Sequence, residues 1–233
     1  MSSHGALPLY LQISELLIRD IAAGRLIDGE RLPPEREMAA GLGIAVGTLR
    51  QALKTLTDKG LVERIQGSGN YIRAKADPTS VYALLRIELL SGGGLPTARV
   101  LSVDRLPKDP TLPEFGRSAE GHRIRRLRFL SGTVAAVEEI WLDGALVGRI
   151  GPEDLSESLY LFYRQRLNLW IARAEDRVGL GPLPDWAPSD FPHAQGTPLP
   201  KITRTTWGQD GQSVEASFTW YDPDRVAYVA RLK

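Results

Sequence analysis

Apolar residues in the first 75 positions recur at helical spacing, and the period then shortens. Ile13, Leu16, Leu17 and Ile21 fall three and four apart between Pro8 and Gly24, which predicts one amphipathic helix. After a loop, Pro33-Pro34-Glu35-Arg36-Glu37 opens a short helix that reaches Gly41 or Leu42, and its first-turn acids suit the helix dipole. A third helix runs from about Val46 to Lys59, with Leu49, Ala52, Leu53 and Leu56 on one face and Gly60 as its stop. The segments Leu61-Val62-Glu63-Arg64-Ile65 and Asn70-Tyr71-Ile72-Arg73 then flank the turn Gln66-Gly67-Ser68-Gly69, a β-hairpin pattern. Three helices followed by a hairpin predict a winged helix-turn-helix.

Beyond residue 95 the texture changes. Strand-like runs cover Thr97 to Arg105, Arg123 to Leu130, Val134 to Trp141, Ile202 to Trp207 and Val214 to Tyr221, with one clear helix from Ser158 to Arg166. Many antiparallel strands with few helices predict an α+β domain. Only Pro8, Pro33 and Pro34 of the 16 prolines precede residue 78, and all five tryptophans follow residue 140, which marks a domain boundary. The expected division is 1–74, a linker at 75–95, and 96–233. Within the linker, Asp77-Pro78-Thr79-Ser80 is expected to start a short helix carrying Val81, Leu84, Leu85, Ile87 and Leu89, stopped by Ser91-Gly92-Gly93-Gly94.

Composition narrows the function classes. At 42% hydrophobic and 24% charged residues the chain can bury a core, which excludes wholesale disorder. The absence of cysteine excludes disulfides, thiolate nucleophiles and zinc fingers and fits a reducing interior. No apolar run is long enough to span a bilayer, and the first residues lack a secretory profile, so a soluble cytoplasmic protein without membrane partners is expected. With 29 basic and 28 acidic residues, any nucleic-acid surface must be local. One exists. Between Ala45 and Lys75, Arg50, Lys54, Lys59, Arg64, Arg73 and Lys75 outnumber Asp58 and Glu63 by four charges. If the leucine face of the third helix is buried, Gly47, Thr48, Arg50, Gln51 and Lys54 face outward, where such a helix enters a major groove. The same pattern suits a small helical domain with an ordinary solvated face.

Several motifs resemble the N-terminal domain of the GntR family: Leu9-Tyr10-Leu11-Gln12-Ile13, Leu32-Pro33-Pro34-Glu35-Arg36-Glu37, Gly43-Ile44, Thr48-Leu49-Arg50-Gln51-Ala52-Leu53, Gly60-Leu61 and Gln66-Gly67-Ser68-Gly69. The resemblance covers about residues 7 to 73. It implies that Arg36 and Arg50 hold phosphates or base edges, that Thr48 sits against the backbone, and that Gly67 enters the minor groove. Gln51, Lys54, Gln66 and Ser68 complete the implied DNA face. Ala45 and Val46 depart from the family pattern, which has Ser or Thr and then Arg, and Pro34 stands where a Ser often caps the preceding helix. Ala45 forgoes a cap worth about 1 kcal/mol, and Val46 cannot make a bidentate guanine contact worth roughly 1–3 kcal/mol. The operator is therefore expected to differ from the usual family site.

The second half resembles the UTRA domain of the HutC subfamily, related in fold to chorismate lyase. The resemblance rests on Leu95-Pro96-Thr97-Ala98-Arg99-Val100-Leu101, Arg126-Leu127-Arg128, Val137-Glu138, Ser158-Leu159-Tyr160, Gly196-Thr197-Pro198-Leu199, Val214-Glu215 and Asp224-Arg225. It implies a pocket for a small anionic metabolite lined by Arg126, Arg128, Glu138, Ser158, Tyr160, Glu215 and Tyr221. Independently, Arg126 and Arg128 stand two apart on a strand, so both guanidinium groups leave one face and can converge on an anion. Ordinary surface ion pairs and a plain Ser helix cap fit these residues too. The Phe115 to His122 stretch looks short and polar, so an altered pocket rim is expected.

An enzyme of the lyase type is the rival, with a non-DNA-binding adaptor as a third reading. Neither a G-x-S-x-G elbow nor a phosphate-binding Gly-Lys loop is present. His4, His122 and His193 are scattered, so no metal cluster, cofactor or catalytic residue is expected. The expectation is a transcriptional regulator, a repressor, acting as a homodimer on a palindromic double-stranded operator under control of a small anionic effector.

Overall fold

A computed structural model describes residues 8–73, 82, 84–155 and 158–231. It divides into two compact units. In the first, Leu9–Ala22 (α1), Glu35–Gly41 (α2) and Val46–Asp58 (α3) form where the apolar spacing placed them. Ile13, Leu16, Leu17 and Ile21 of α1 meet the buried Leu49, Ala52, Leu53 and Leu56 of α3. Burial of each leucine contributes roughly 1.5–3 kcal/mol. Ser14, fully buried between these helices, donates to Tyr10 O at 2.8 Å and Ala52 O at 3.3 Å, so its hydroxyl is satisfied inside the core. Gly60, at φ +71°, ends α3 in a left-handed conformation that glycine adopts without strain.

The wing follows as Val62–Ile65 (β1) and Gly69–Ile72 (β2), antiparallel from Val62 opposite Ile72 to Ile65 opposite Gly69. A bridge from Arg31 to Tyr71 and the Leu32 N–H on Asn70 O (2.9 Å) tie the segment before α2 to the wing.

The second unit is a six-stranded antiparallel sheet. Pro96–Pro107 (β4), Glu120–Leu130 (β5), Thr133–Asp143 (β6), Leu159–Leu167 (α4), Ile171–Pro182 (β7), Pro198–Gly208 (β8) and Ser213–Tyr221 (β9) give the order β4-β5-β6-β9-β8-β7. On one face α4 sets Leu159, Phe162 and Tyr163 against Ile124, Ile140 and Leu142. The opposite face carries Leu127, Val137 and Trp220 under Leu183, Ala187 and Phe191 of the β7–β8 connection.

Three expectations change. Asp77-Pro78-Thr79-Ser80 and Val81 lie outside the described residues, but Ile87 and Leu89 form no helix. Ile87–Leu89 (β3) pairs with Val226–Tyr228 (β10), because a partner strand is available and Leu85, Ile87 and Leu89 also alternate at period two. Strand β7 had no apolar alternation to reveal it, since it is a charged sheet edge. The Phe115 to His122 stretch is less polar in place than in sequence. Phe115 packs with Trp141 and Ala216, and His122 is buried with Nε2 2.9 Å from Val147 O. Gly116 (φ +65°) lies so close to Asp143 that a Cβ would fall 2.3 Å from its Cγ.

Candidate DNA interface and effector site

Helix α3 exposes Arg50, Gln51 and Lys54 and half-buries Thr48, as its buried leucine face requires. Its N-cap, Ala45, has extended backbone and no side-chain hydrogen bond to the first turn. A groove of about 790 Å³ opens between the segment 31–36, Arg50 and the wing. It brings together Arg36, Arg50, Gln66, Gly67 and Ser68 of the expected DNA face, while Thr48, Gln51 and Lys54 lie outside its lining. Lys54 is engaged with Asp58 one turn on, at 2.8 Å. Arg50 Nε donates to Glu35 Oε2 at 2.6 Å, and the Ser68 hydroxyl hydrogen-bonds the Tyr71 hydroxyl at 2.7 Å. Arg31 and Arg64 also line the groove. Arg64 was visible in the local charge excess, whereas Arg31 precedes the motif and carried no signal.

In the second unit, strand register assembles the charges. Arg126 of β5 stands opposite Glu138 of β6, and Leu142 of β6 stands opposite Glu215 of β9. Arg126 Nη2 donates to Glu138 Oε2 at 2.7 Å, and Arg128 reaches both Glu138 oxygens, at 3.0 and 3.2 Å. All three residues are buried, so the surface-pair alternative does not apply to them. Burial pushes the Glu138 carboxyl up, but the two guanidinium groups outweigh it and hold its pKa at about 2. Burial also lowers the Arg126 pKa in spite of Glu138, with Arg128 adding repulsion. Nε and Nη1 of Arg126 are buried donors without an acceptor among the described residues.

A second polar group adjoins the first. Glu215 accepts from Tyr163 at 2.6 Å and lies 3.4 Å from the Tyr160 hydroxyl, and burial raises its pKa despite those bonds. Arg204 of β8 pairs with Asp176 of β7 at 2.5 and 2.7 Å, and the Tyr228 hydroxyl also donates to Asp176, at 2.9 Å. Ser158, 5% exposed, caps α4 by accepting from Leu161 N at 3.4 Å. Tyr221 is buried at the end of β9, opposite Ala136. Tyr163, Arg204 and Asp176 were not singled out from sequence. Tyr163 follows Tyr160 at i+3 on one helix and was detectable by that spacing. Asp176 was not, because it sits on the unanticipated edge strand.

The two sites coincide with two known domains. Residues 9–72 match the bacterial regulatory proteins of the gntR family, and residues 91–227 match the UTRA domain. The chain belongs to the GntR family. HTH-type transcriptional regulator SmoD of Agrobacterium fabrum is 60% identical over 229 residues, 98% of each chain. The Mannosyl-D-glycerate transport/metabolism system repressor MngR of Escherichia coli is 30% identical over 179 residues, 75% of each chain. The crystal structure of the possible transcriptional regulator YydK from Bacillus subtilis shares the fold, with TM-score 0.52 and 21% identity across 97% of this chain and 100% of that one.

The GntR match and these relatives make the protein a DNA-binding transcriptional regulator with an effector-binding UTRA domain, not an enzyme. The lyase alternative therefore falls. No helix among the described residues is long and apolar enough to cross a membrane. His193, placed beside Asp222 and Asp224, hydrogen-bonds Asp222 Oδ1 at 3.0 Å. The second Asp222 oxygen is engaged by Arg225 at 3.1 Å, and the three side chains lie within 4.8 Å of one another although His193 is distant from both acids in sequence.

Proposed function

We propose that the protein represses transcription as a homodimer on a palindromic operator and releases it when a small anionic metabolite binds between Arg126, Arg128, Arg204 and Glu215. The observation that carries the reading is Arg126. A buried guanidinium with two donor nitrogens unsatisfied among the described residues asks for an acceptor, and an anion both accepts and offsets the charge. Glu138 and Asp176 bring two carboxylates against three arginines, and the Glu215 carboxylate is taken up by the Tyr163 and Tyr160 hydroxyls. Glu215 and the tyrosines around it offer partners for the hydroxyls of a sugar. MngR is named for mannosyl-D-glycerate, a sugar carrying a carboxylate, which has this chemistry. The DNA-reading and effector-binding parts are proposed to meet within residues 75–95, and the two compact units divide at Arg86 and Ile87.

The test uses a fluorescent duplex recovered from genomic DNA by the purified protein, titrated with sugar phosphates and sugar carboxylates. Release of the duplex by one class is expected, with Arg126→Gln weakening that response at least tenfold, about 1.4 kcal/mol, while duplex affinity holds. Full response in the variant would place the effector elsewhere.

A further inference from the structure

The groove between α2, α3 and the wing holds one acid among four arginines. Arg31, Arg36, Arg50 and Arg64 line it, and Glu35 is the single carboxylate of its lining among the described residues. The carboxylate divides its oxygens between two elements. Oε2 accepts from Arg50 of the recognition helix at 2.6 Å, and Oε1 lies 4.0 Å from Arg64 Nη2 of the wing. Its side chain is 17% exposed, against 62% for Arg50 and 71% for Arg64, so the acid is recessed behind two guanidinium groups that reach solvent. The Arg50 hydrogen bond, with the charges of Arg50 and Arg64 and a bond from Asn70, holds the Glu35 pKa below the usual carboxylate range. It is ionised wherever DNA binding is measured.

An arginine that docks on a base edge must give up rotamer freedom, and one already held loses less. Glu35 takes Nε of Arg50 and, among the described residues, leaves both Nη groups for the edge that makes a bidentate contact with guanine or a phosphate. A negative charge in a basic groove also subtracts from attraction to any duplex, whatever its sequence. Both effects favour selectivity. We propose that Glu35 is a specificity-determining residue of the DNA reader, positioning Arg50 and Arg64 and lowering sequence-independent affinity. The proposal rests on the reading that the Arg50 face contacts DNA. The competing account is that Glu35 only serves the dipole of α2, a role that the exposed Glu37 of the same first turn shares.

Two duplexes test it: the fragment recovered from genomic DNA by the wild-type protein, and its scrambled counterpart. Glu35→Gln keeps an oxygen for Arg50 and removes the charge. It is expected to weaken the recovered duplex about tenfold and to strengthen the scrambled one severalfold, with a steeper dependence on salt. Glu35→Asp keeps the charge but is one methylene short. It is expected to weaken the recovered duplex and leave the scrambled one unchanged, and it decides the matter if Glu35→Gln does not fold. Glu37→Gln is expected to leave the ratio of the two affinities at its wild-type value. Equal losses on both duplexes, or a Glu37→Gln effect matching Glu35→Gln, overturns the proposal. Arg50→Ala separates the underlying reading. If it binds the recovered duplex like wild type, the DNA face lies elsewhere and the role of Glu35 falls with it. A clear Arg50→Ala defect beside an unaltered Glu35→Gln rejects the role of Glu35 alone.

Discussion

Glu138 holds two buried arginines, and its titration is readable as stability. Its pKa in the folded protein is about 2, below the ordinary 4.5, so its contribution is complete above about pH 4.5 and is lost as pH falls toward 2. The shift corresponds to roughly 3 kcal/mol. Glu215 runs the other way. Burial raises its pKa, so its favourable proton is present at low pH and that contribution fades as pH rises through its range. Glu138→Gln leaves Arg126 and Arg128 uncompensated and should cost about 3–5 kcal/mol at pH 6. The variant should then lose less than wild type between pH 5 and pH 3. Urea unfolding at both pH values measures this, and an acid loss as large as wild type's would assign the titration to other carboxylates.

At the level of elements, α3 carries a correctable defect. Ala45 has the extended backbone of an N-cap but offers no side-chain acceptor to the first turn. Ala45→Ser should add about 1 kcal/mol, visible as a higher denaturation midpoint of the first unit, and no gain would mean that water already satisfies those N–H groups. The helices and wing of that unit were legible because their signals are local: leucines three and four apart, Gly60 as a stop, a glycine-bearing turn between two short strands. The sheet was legible strand by strand wherever one face is buried, as with Ile124, Leu127 and Leu130 of β5. Arg126 and Arg128 announced a shared face by their spacing. What the pattern could not carry was pairing between distant segments. Asp176 and Arg204 meet because β7 and β8 pair in one register, and β7 lacked alternation because both of its faces are largely exposed. The helix expected at Ile87 and Leu89 gave way for the same reason: its partner, β10, lies more than 130 residues on.

On the scale of the whole molecule, the proposed dimer needs a seam, and β7 has the features of one. It is twelve residues long and pairs only with β8 among the described residues. Long free edges invite another strand unless they are blunted. Leu180 is 76% exposed and Val178 51%, apolar surface that a lone edge has no reason to display. Arg173, Glu175 and Arg177 alternate in sign along the opposite face, and Arg177 already reaches Glu175 at 3.0 Å within the strand. A two-fold axis at Asp176 would set Glu175 of one protomer opposite Arg177 of its partner, twice over, so the strand is complementary to itself. A palindromic operator needs that symmetry, because each half-site engages one winged helix. Arg177→Glu sets a glutamate opposite Glu175 of the partner subunit, twice over, which puts like charges together across such a seam. It should shift sedimentation toward the monomer and weaken operator binding at least tenfold, about 1.4 kcal/mol, while the response of each protomer to effector survives. A variant that sediments as wild type would move the seam to the other sheet edge, β4, which closes the sheet beside β5.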